Sequence, residues 1–131
     1  MSRDKKRLTD YLVHILEAIE RTDRYTEDMG EVAFLENSMV QDAVLRNLEI
    51  IGEASNNVVR HYPEFAAAHQ ELPLAYAYQM RNAVAHGYFD VDLEIVWKTI
   101  RNDLPGLYRQ VQQVLEGLPS EDKDDSTGVQ P

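Results

Sequence analysis

Apolar side chains recur every three or four positions along most of this chain. Leu8, Tyr11, Leu12, Ile15, Leu16 and Ile19 fall on one face of a helix turning about 100° per residue. The charge-rich stretch RTDRYTEDMG, residues 21–30, predicts a loop that closes this first helix. A short helix is expected around Val32–Glu36. Asn37 or Ser38 then caps a longer one, with Ser38 and Gln41 at the spacing of a capping box. Its stripe runs through Val40, Ala43, Val44, Leu48, Ile51, Ala54 and Val58, and it should stop before Pro63. Gly52 costs about 1 kcal/mol relative to Ala inside a helix, yet the periodicity continues through it. It therefore reads as a close helix–helix approach. Pro73 suits the first turn of the next helix, which extends to about His86 with Gly87 at C′. Asp90 or Asp92 can cap the last helix, striped by Leu93, Val96, Trp97, Ile100, Leu104, Leu107, Val111 and Val114. Pro105 is expected to kink or break it after Asn102.

No Asn-Gly hairpin signal, internal repeat or low-complexity core interrupts this pattern. The expectation is an all-α protein, an antiparallel bundle of four to five helices. With 131 residues, the chain is long enough for one domain with a real core, placed at residues 1–118. Residues 119–131, PSEDKDDSTGVQP, form an acidic tail whose composition predicts disorder.

Composition removes several classes of chemistry. The absence of cysteine excludes disulfides, thiolate zinc sites and cysteine nucleophiles. No apolar run approaches the roughly 18 residues a membrane span needs, and MSRDKKRLTD has no apolar stretch behind its positive charges. A cytoplasmic protein with no membrane association fits best. The net charge is −10, and the tail's four acids and one base account for −3 of it, leaving −7 on the body. That is the opposite of a basic nucleic-acid face. Any RNA contact must be local, or a basic partner is expected.

Against this background the window MRNAVAHGYFDVD, residues 80–92, stands out. On a helix Asn82 and His86 are one turn apart on the same side, and Arg81 can swing toward a common point. Gly87 would end the helix and let Tyr88 fold back near His86. With one histidine here and no carboxylate before Asp90, no metal set is present, and a serine triad has no local nucleophile. An imidazole beside a guanidinium suits metal-free cleavage of RNA phosphodiesters. His86 would move the proton at the 2′-hydroxyl or the leaving oxygen. Arg81 would neutralise charge on the phosphorane, and Asn82 would orient the imidazole or a phosphate oxygen. DNA lacks the 2′-hydroxyl. The competing explanation is a helix end whose Arg and His meet free carbonyls and the helix dipole.

The order Arg-Asn, three residues, His, one residue, Tyr resembles the RNxxxHxY signature of the HEPN superfamily, and more narrowly that of the HepT-like toxins of HepT–MntA modules. RYTEDM at 24–29, QDAVLRNLEIIGEA at 41–54 and HGYFDVDLEIVWKTIRNDLPGL at 86–107 resemble that family's landmarks in order and spacing, so the likeness covers Leu8 to Leu115. The resemblance implies a helical bundle that homodimerises and brings two motif copies toward a shared cleft. It implies that Arg81 and His86 cleave RNA without metal or cofactor, with Asn82 between them. It also implies that Tyr88 is the phenol to which a minimal nucleotidyltransferase antitoxin, MntA-like, attaches AMP. A bulky anion there would oppose binding of substrate phosphate. One departure is visible: Leu74-Ala75-Tyr76 stands where the family often has a tryptophan.

Arg46-Asn47 repeats the dipeptide, but Ile51 occupies the histidine position. Arg46 reads first as helix polarity at a groove edge and second as a substrate-binding arginine. Glu49 and Glu53, one turn apart, read as a solvated or salt-bridged face, because no Glu-x-x-His pair accompanies them. His14, His61 and His69 read as surface residues. Tyr76, Tyr78 and Trp97 read as core or dimer interface before base-stacking platforms. Two alternatives to the nuclease stay open: a non-catalytic helical dimer that scaffolds a nucleotidyltransferase, and a substrate-binding subunit for nucleotide transfer to small molecules.

Overall fold

The stripe that begins at Leu8 is carried by helix α1 (Ser2–Thr26), which is longer than its apolar residues alone indicate. The computed structural model describes residues 2–75, 77–80 and 91–118 of the chain. The loop expected at residues 21–30 is instead helical as far as Thr26. Two threonines explain the difference. Thr22 and Thr26 occupy buried positions where apolar residues would continue the stripe, and their hydroxyls donate to the carbonyls of Ala18 and Thr22 at 2.9 and 2.8 Å. A hydroxyl satisfied on its own helix can be buried at small cost.

Helix α2 (Glu31–Leu35) is the short helix expected, and it places Phe34 fully inside. Helix α3 (Ser38–His61) follows. Its cap is Asn37, whose side chain accepts from the Val40 amide at 3.1 Å. The Ser38–Gln41 capping box does not form. The Gln41 amide reaches back to the Phe34 carbonyl at 2.9 Å and ties α3 to α2. Pro63 ends α3 as expected and at once opens a further short helix, α4 (Pro63–Ala68), where its missing N–H is harmless.

Polar contacts along α1 establish the bundle's sense. Arg21 donates to Asn47 at 2.9 Å, while Arg7, nearer the start of α1, feels the phenol of Tyr62 just past the end of α3. Helices α1 and α3 are therefore antiparallel. At the end of the described chain, α5 (Leu93–Lys98) passes through a π-helical turn (Thr99–Asp103) into α6 (Leu104–Gly117). Tyr108 donates to Glu20 at 2.6 Å and Arg101 donates to the Thr26 carbonyl at 2.7 Å, so α6 is antiparallel to α1 as well.

The break expected near Pro105 is absent. Lys98, Thr99 and Leu104 all keep right-handed helical backbone, and Pro105 falls in the first turn of α6. The wide turn just before it relieves the clash between the proline ring and the preceding turn. Val96, Trp97, Ile100, Leu104, Leu107, Val111 and Val114 thus stay on one buried stripe, facing Leu12, Ile15, Leu48 and Ile51 in a single core. Among the described residues no helix is long and apolar enough to cross a membrane.

Arg101 closes the end of α1. Its guanidinium donates to the carbonyls of Thr26 and Met29, at 2.7 and 3.0 Å, and lies 4.4 Å over the Trp97 ring. Carbonyls at a helix C-terminus lack helical partners and carry partial negative charge, so a cation there is favourable twice over. Arg101→Ala is expected to cost about 1–2 kcal/mol, read from the urea midpoint. A loss below about 0.3 kcal/mol would mean that water replaces the guanidinium without penalty.

The Tyr108–Glu20 contact responds to alkali. The hydrogen bond to the Glu20 carboxylate, with some burial and the carboxylate's charge, raises the Tyr108 pKa above the phenol's ordinary value. A raised folded-state pKa favours the protonated form, so this contribution is full below the unfolded phenol's pKa, about 10, and fades as pH rises through the folded value. The stability difference between wild type and Tyr108→Phe should therefore shrink above about pH 10, and a constant difference from pH 7 to 11.5 would contradict the assignment.

Candidate functional site

Arg81, Asn82, His86 and Tyr88 lie outside the described residues, as do Gly87, Asp90 and Tyr76. What the structure supplies is the frame on both sides of the motif. Before it, residues 74, 75 and 77–80 are helical, and the Ala77 amide bonds the Pro73 carbonyl at 3.0 Å, as expected for a helix opened by Pro73. Leu74 and Ala77 are buried. A small apolar cavity bounded by Ala77 and Met80, by Leu48 and Ile51 of α3, and by Leu104 and Leu107 of α6 marks where this helix wedges between the two.

After the motif, Val91 packs on the core and Asp92 caps α5, its carboxylate accepting from the amides of Glu94 and Ile95 at 3.0 and 3.3 Å. Of the two aspartates proposed as caps, Asp92 is the one used. The motif is thus flanked by Met80, packed against the core, and by a capped helix start.

The repeated Arg-Asn dipeptide of α3 divides its roles. Asn47 is buried and fully engaged, accepting from Arg21 at 2.9 Å and donating to the Ala43 carbonyl at 2.8 Å. Arg46 points outward with 73% of its side chain exposed, and its nearest anion is Glu49 at 4.0 Å. An exposed pair at that separation contributes little. Arg46 stands at one end of a furrow of about 330 Å³ between α1 and α3, with Tyr11, His14, Glu49, Ile50, Glu53 and Asn57 along it.

The remaining candidates fall out as follows. His14 and His61 are exposed, whereas His69 is half-buried, stacked on Phe65 at 4.4 Å and 3.2 Å from Glu71. The Glu71 carboxyl is held below its ordinary pKa, first by its own backbone amide and then by His69. Trp97 is buried against Phe34 at 5.3 Å, and Tyr78 is half-buried. Trp97 therefore packs and offers no stacking surface. Among the described residues no three His, Asp or Glu side chains converge to hold a metal. Periodicity also passed over Arg101, because its partners lie more than 70 positions away.

An all-α, HEPN-like bundle that brackets an RNxxxHxY segment defines the class of this protein. The chain belongs to the HepT-like family, described as ribonuclease HepT-like, whose profile matches residues 15–114 and so includes Arg81 to Tyr88. A protein of Thermococcus cleftensis named as a probable ribonuclease HepT is 41% identical over 103 residues, 79% of this chain and 91% of that protein. A Methanocaldococcus jannaschii protein whose name joins a γ-glutamylcyclotransferase to a candidate RNase is 37% identical over 114 residues, covering 87% of this chain. This chain spans only 50% of that relative's length. A candidate RNase of Caldanaerobacter subterraneus subsp. tengcongensis is 34% identical over 106 residues, 81% of this chain and 92% of its own. No solved structure matches the chain.

Proposed function

We propose that this protein is a metal-independent endoribonuclease, the toxin of a type VII-like toxin–antitoxin module, acting in the cytoplasm as a homodimer. The observation that carries the reading is the intact Arg81-Asn82, His86, Tyr88 pattern inside the span matched by the family. Names of relatives that refer to RNase activity support the substrate class.

In this mechanism His86 removes the proton of the ribose 2′-hydroxyl or delivers one to the departing 5′-oxygen. The 2′-oxygen attacks phosphorus, the P–O5′ bond breaks, and a 2′,3′-cyclic phosphate and a 5′-hydroxyl result. Arg81 offsets the charge of the phosphorane and Asn82 orients the imidazole or a phosphate oxygen. Arg46 supplies a secondary cation for the substrate backbone. Neither metal nor cofactor takes part. Tyr88 is the site at which a MntA-like nucleotidyltransferase places AMP from ATP as O-AMP-tyrosine, and the added phosphate repels the substrate's own.

The test is RNA cleavage by purified protein in excess EDTA, after intact mass has established that Tyr88 is unmodified. Cleavage that persists in EDTA, ends in a cyclic phosphate and stops when the scissile 2′-hydroxyl is replaced by hydrogen is the expected result. A rate independent of pH from about 5 to 9 would remove an imidazole from the rate-limiting proton transfer.

One observation favours a second reading, a non-catalytic dimer serving as scaffold for the nucleotidyltransferase: the chain carries a net charge of −10, which opposes RNA binding. Failure of unmodified protein to cleave several RNA classes would favour that reading.

A further inference from the structure

The outer face of α3 carries a charge pattern that is its own complement. Asp42, Arg46, Glu53 and Arg60 are all exposed and follow one another at intervals of four, seven and seven residues, so they share one stripe along the helix. Read from the N-terminal end, the order is minus, plus, minus, plus. Reversed end to end, it becomes plus, minus, plus, minus. Ile50 lies near the middle of the stripe, half-buried, on the furrow that α3 forms with Tyr11 and His14 of α1.

A two-fold interface must bring residue i against j and j against i. Two copies of α3 laid antiparallel about an axis near Ile50 would set Arg46 opposite the other copy's Glu53, and Asp42 opposite its Arg60. Each contact occurs twice. The two pairings call for axes at nearly the same height, midway between residues 46 and 53 in one case and between 42 and 60 in the other. Long side chains span that offset. Glu49 is the one acid near the axis, and Arg46 already lies 4.0 Å from it.

We propose that this face of α3, with the α1–α3 furrow beside it, is the surface through which two copies of the chain associate, held by reciprocal Arg46–Glu53 and Asp42–Arg60 pairs around an apolar centre at Ile50. The inference names the face used by the homodimer proposed above and rests on that reading. An apolar centre ringed by charge is the usual anatomy of such a contact. RNA is disfavoured as the occupant because two carboxylates, Glu49 and Glu53, line the furrow against one guanidinium. The position of Arg46 there then serves assembly.

Sedimentation or light-scattering mass of the full chain tests this, for wild type, Arg46→Glu, Glu53→Arg and the double variant. All four substituted positions are on exposed side chains, and far-UV circular dichroism with a thermal melt checks that each variant folds. Wild type should be dimeric. Each single reversal creates two like-charge contacts and should raise the dissociation constant by at least about 100-fold. The double variant exchanges the partners and should return it to within about tenfold of wild type. Dimers that persist undiminished in both single variants would overturn the face while leaving the dimer intact. Folded single variants that dissociate without recovery in the double variant would also overturn it. A wild-type monomer at high concentration would remove the face and the homodimer together, whereas loss of EDTA-resistant RNA cleavage in a dimeric wild type would strike only the nuclease.

Discussion

His86→Ala should lower RNA cleavage in excess EDTA by at least about 100-fold, because a positioned proton-transfer group contributes roughly 10² to 10⁴ in rate. The loss should fall on kcat, since the imidazole acts when the 2′-oxygen and the 5′-oxygen exchange protons and adds little to ground-state binding. Folding should be unaffected. The flanks that hold the segment, Met80 against the core and Asp92 at the start of α5, depend on neither His86 nor its charge. A second substitution separates charge from shape. Arg81→Lys keeps the cation but loses the planar fork that matches two phosphate oxygens, so activity between that of wild type and Arg81→Ala is expected. A His86→Ala protein that keeps more than a tenth of wild-type activity would take His86 out of the chemistry and leave the scaffold as the better account.

Phe34→Ala is expected to destabilise the domain by about 3–5 kcal/mol, the usual range for emptying a fully buried aromatic site. Phe34 is 0% exposed, lies 5.3 Å from the Trp97 ring, and is the buried anchor of the five-residue α2. A helix that short has no stability of its own. Its position between α3 and α5 depends on this ring and on the Gln41 bond to the Phe34 carbonyl, which survives the substitution. The loss is therefore one of packing, including the tilted aromatic pair. Urea unfolding should show a lower midpoint with an unchanged slope. A shift worth less than about 1 kcal/mol would mean that Trp97 and Arg101 close over the vacancy.

The helices themselves were legible because burial on one face imposes a 3–4 spacing, and Leu8 to Ile19, Val44 to Val58 and Val96 to Val114 obey it residue by residue. The chemistry of residues 81–88 was legible too, since the side-chain types and their spacing are local facts. Where periodicity failed, a polar residue had been buried with a partner that the pattern does not register. Thr22 and Thr26 extend α1 by bonding back to its own carbonyls, and Asn47 is inside because Arg21 meets it from another helix. Pro105 misled for a related reason. A proline forbids one hydrogen bond in a regular helix, but a π-helical turn just before it lets the helix continue.

By itself, then, the sequence determined the all-α class, the faces that are buried and the reactive set Arg81, Asn82, His86 and Tyr88, all consequences of interactions within a few residues of one another. Tertiary structure alone decided that Arg101 would close α1, that Tyr108 would meet Glu20, and that Arg46 would stand outward beside Glu49 while its neighbour Asn47 turned in. Those contacts join positions far apart in the chain or depend on which helix packs alongside, and no local spacing encodes them.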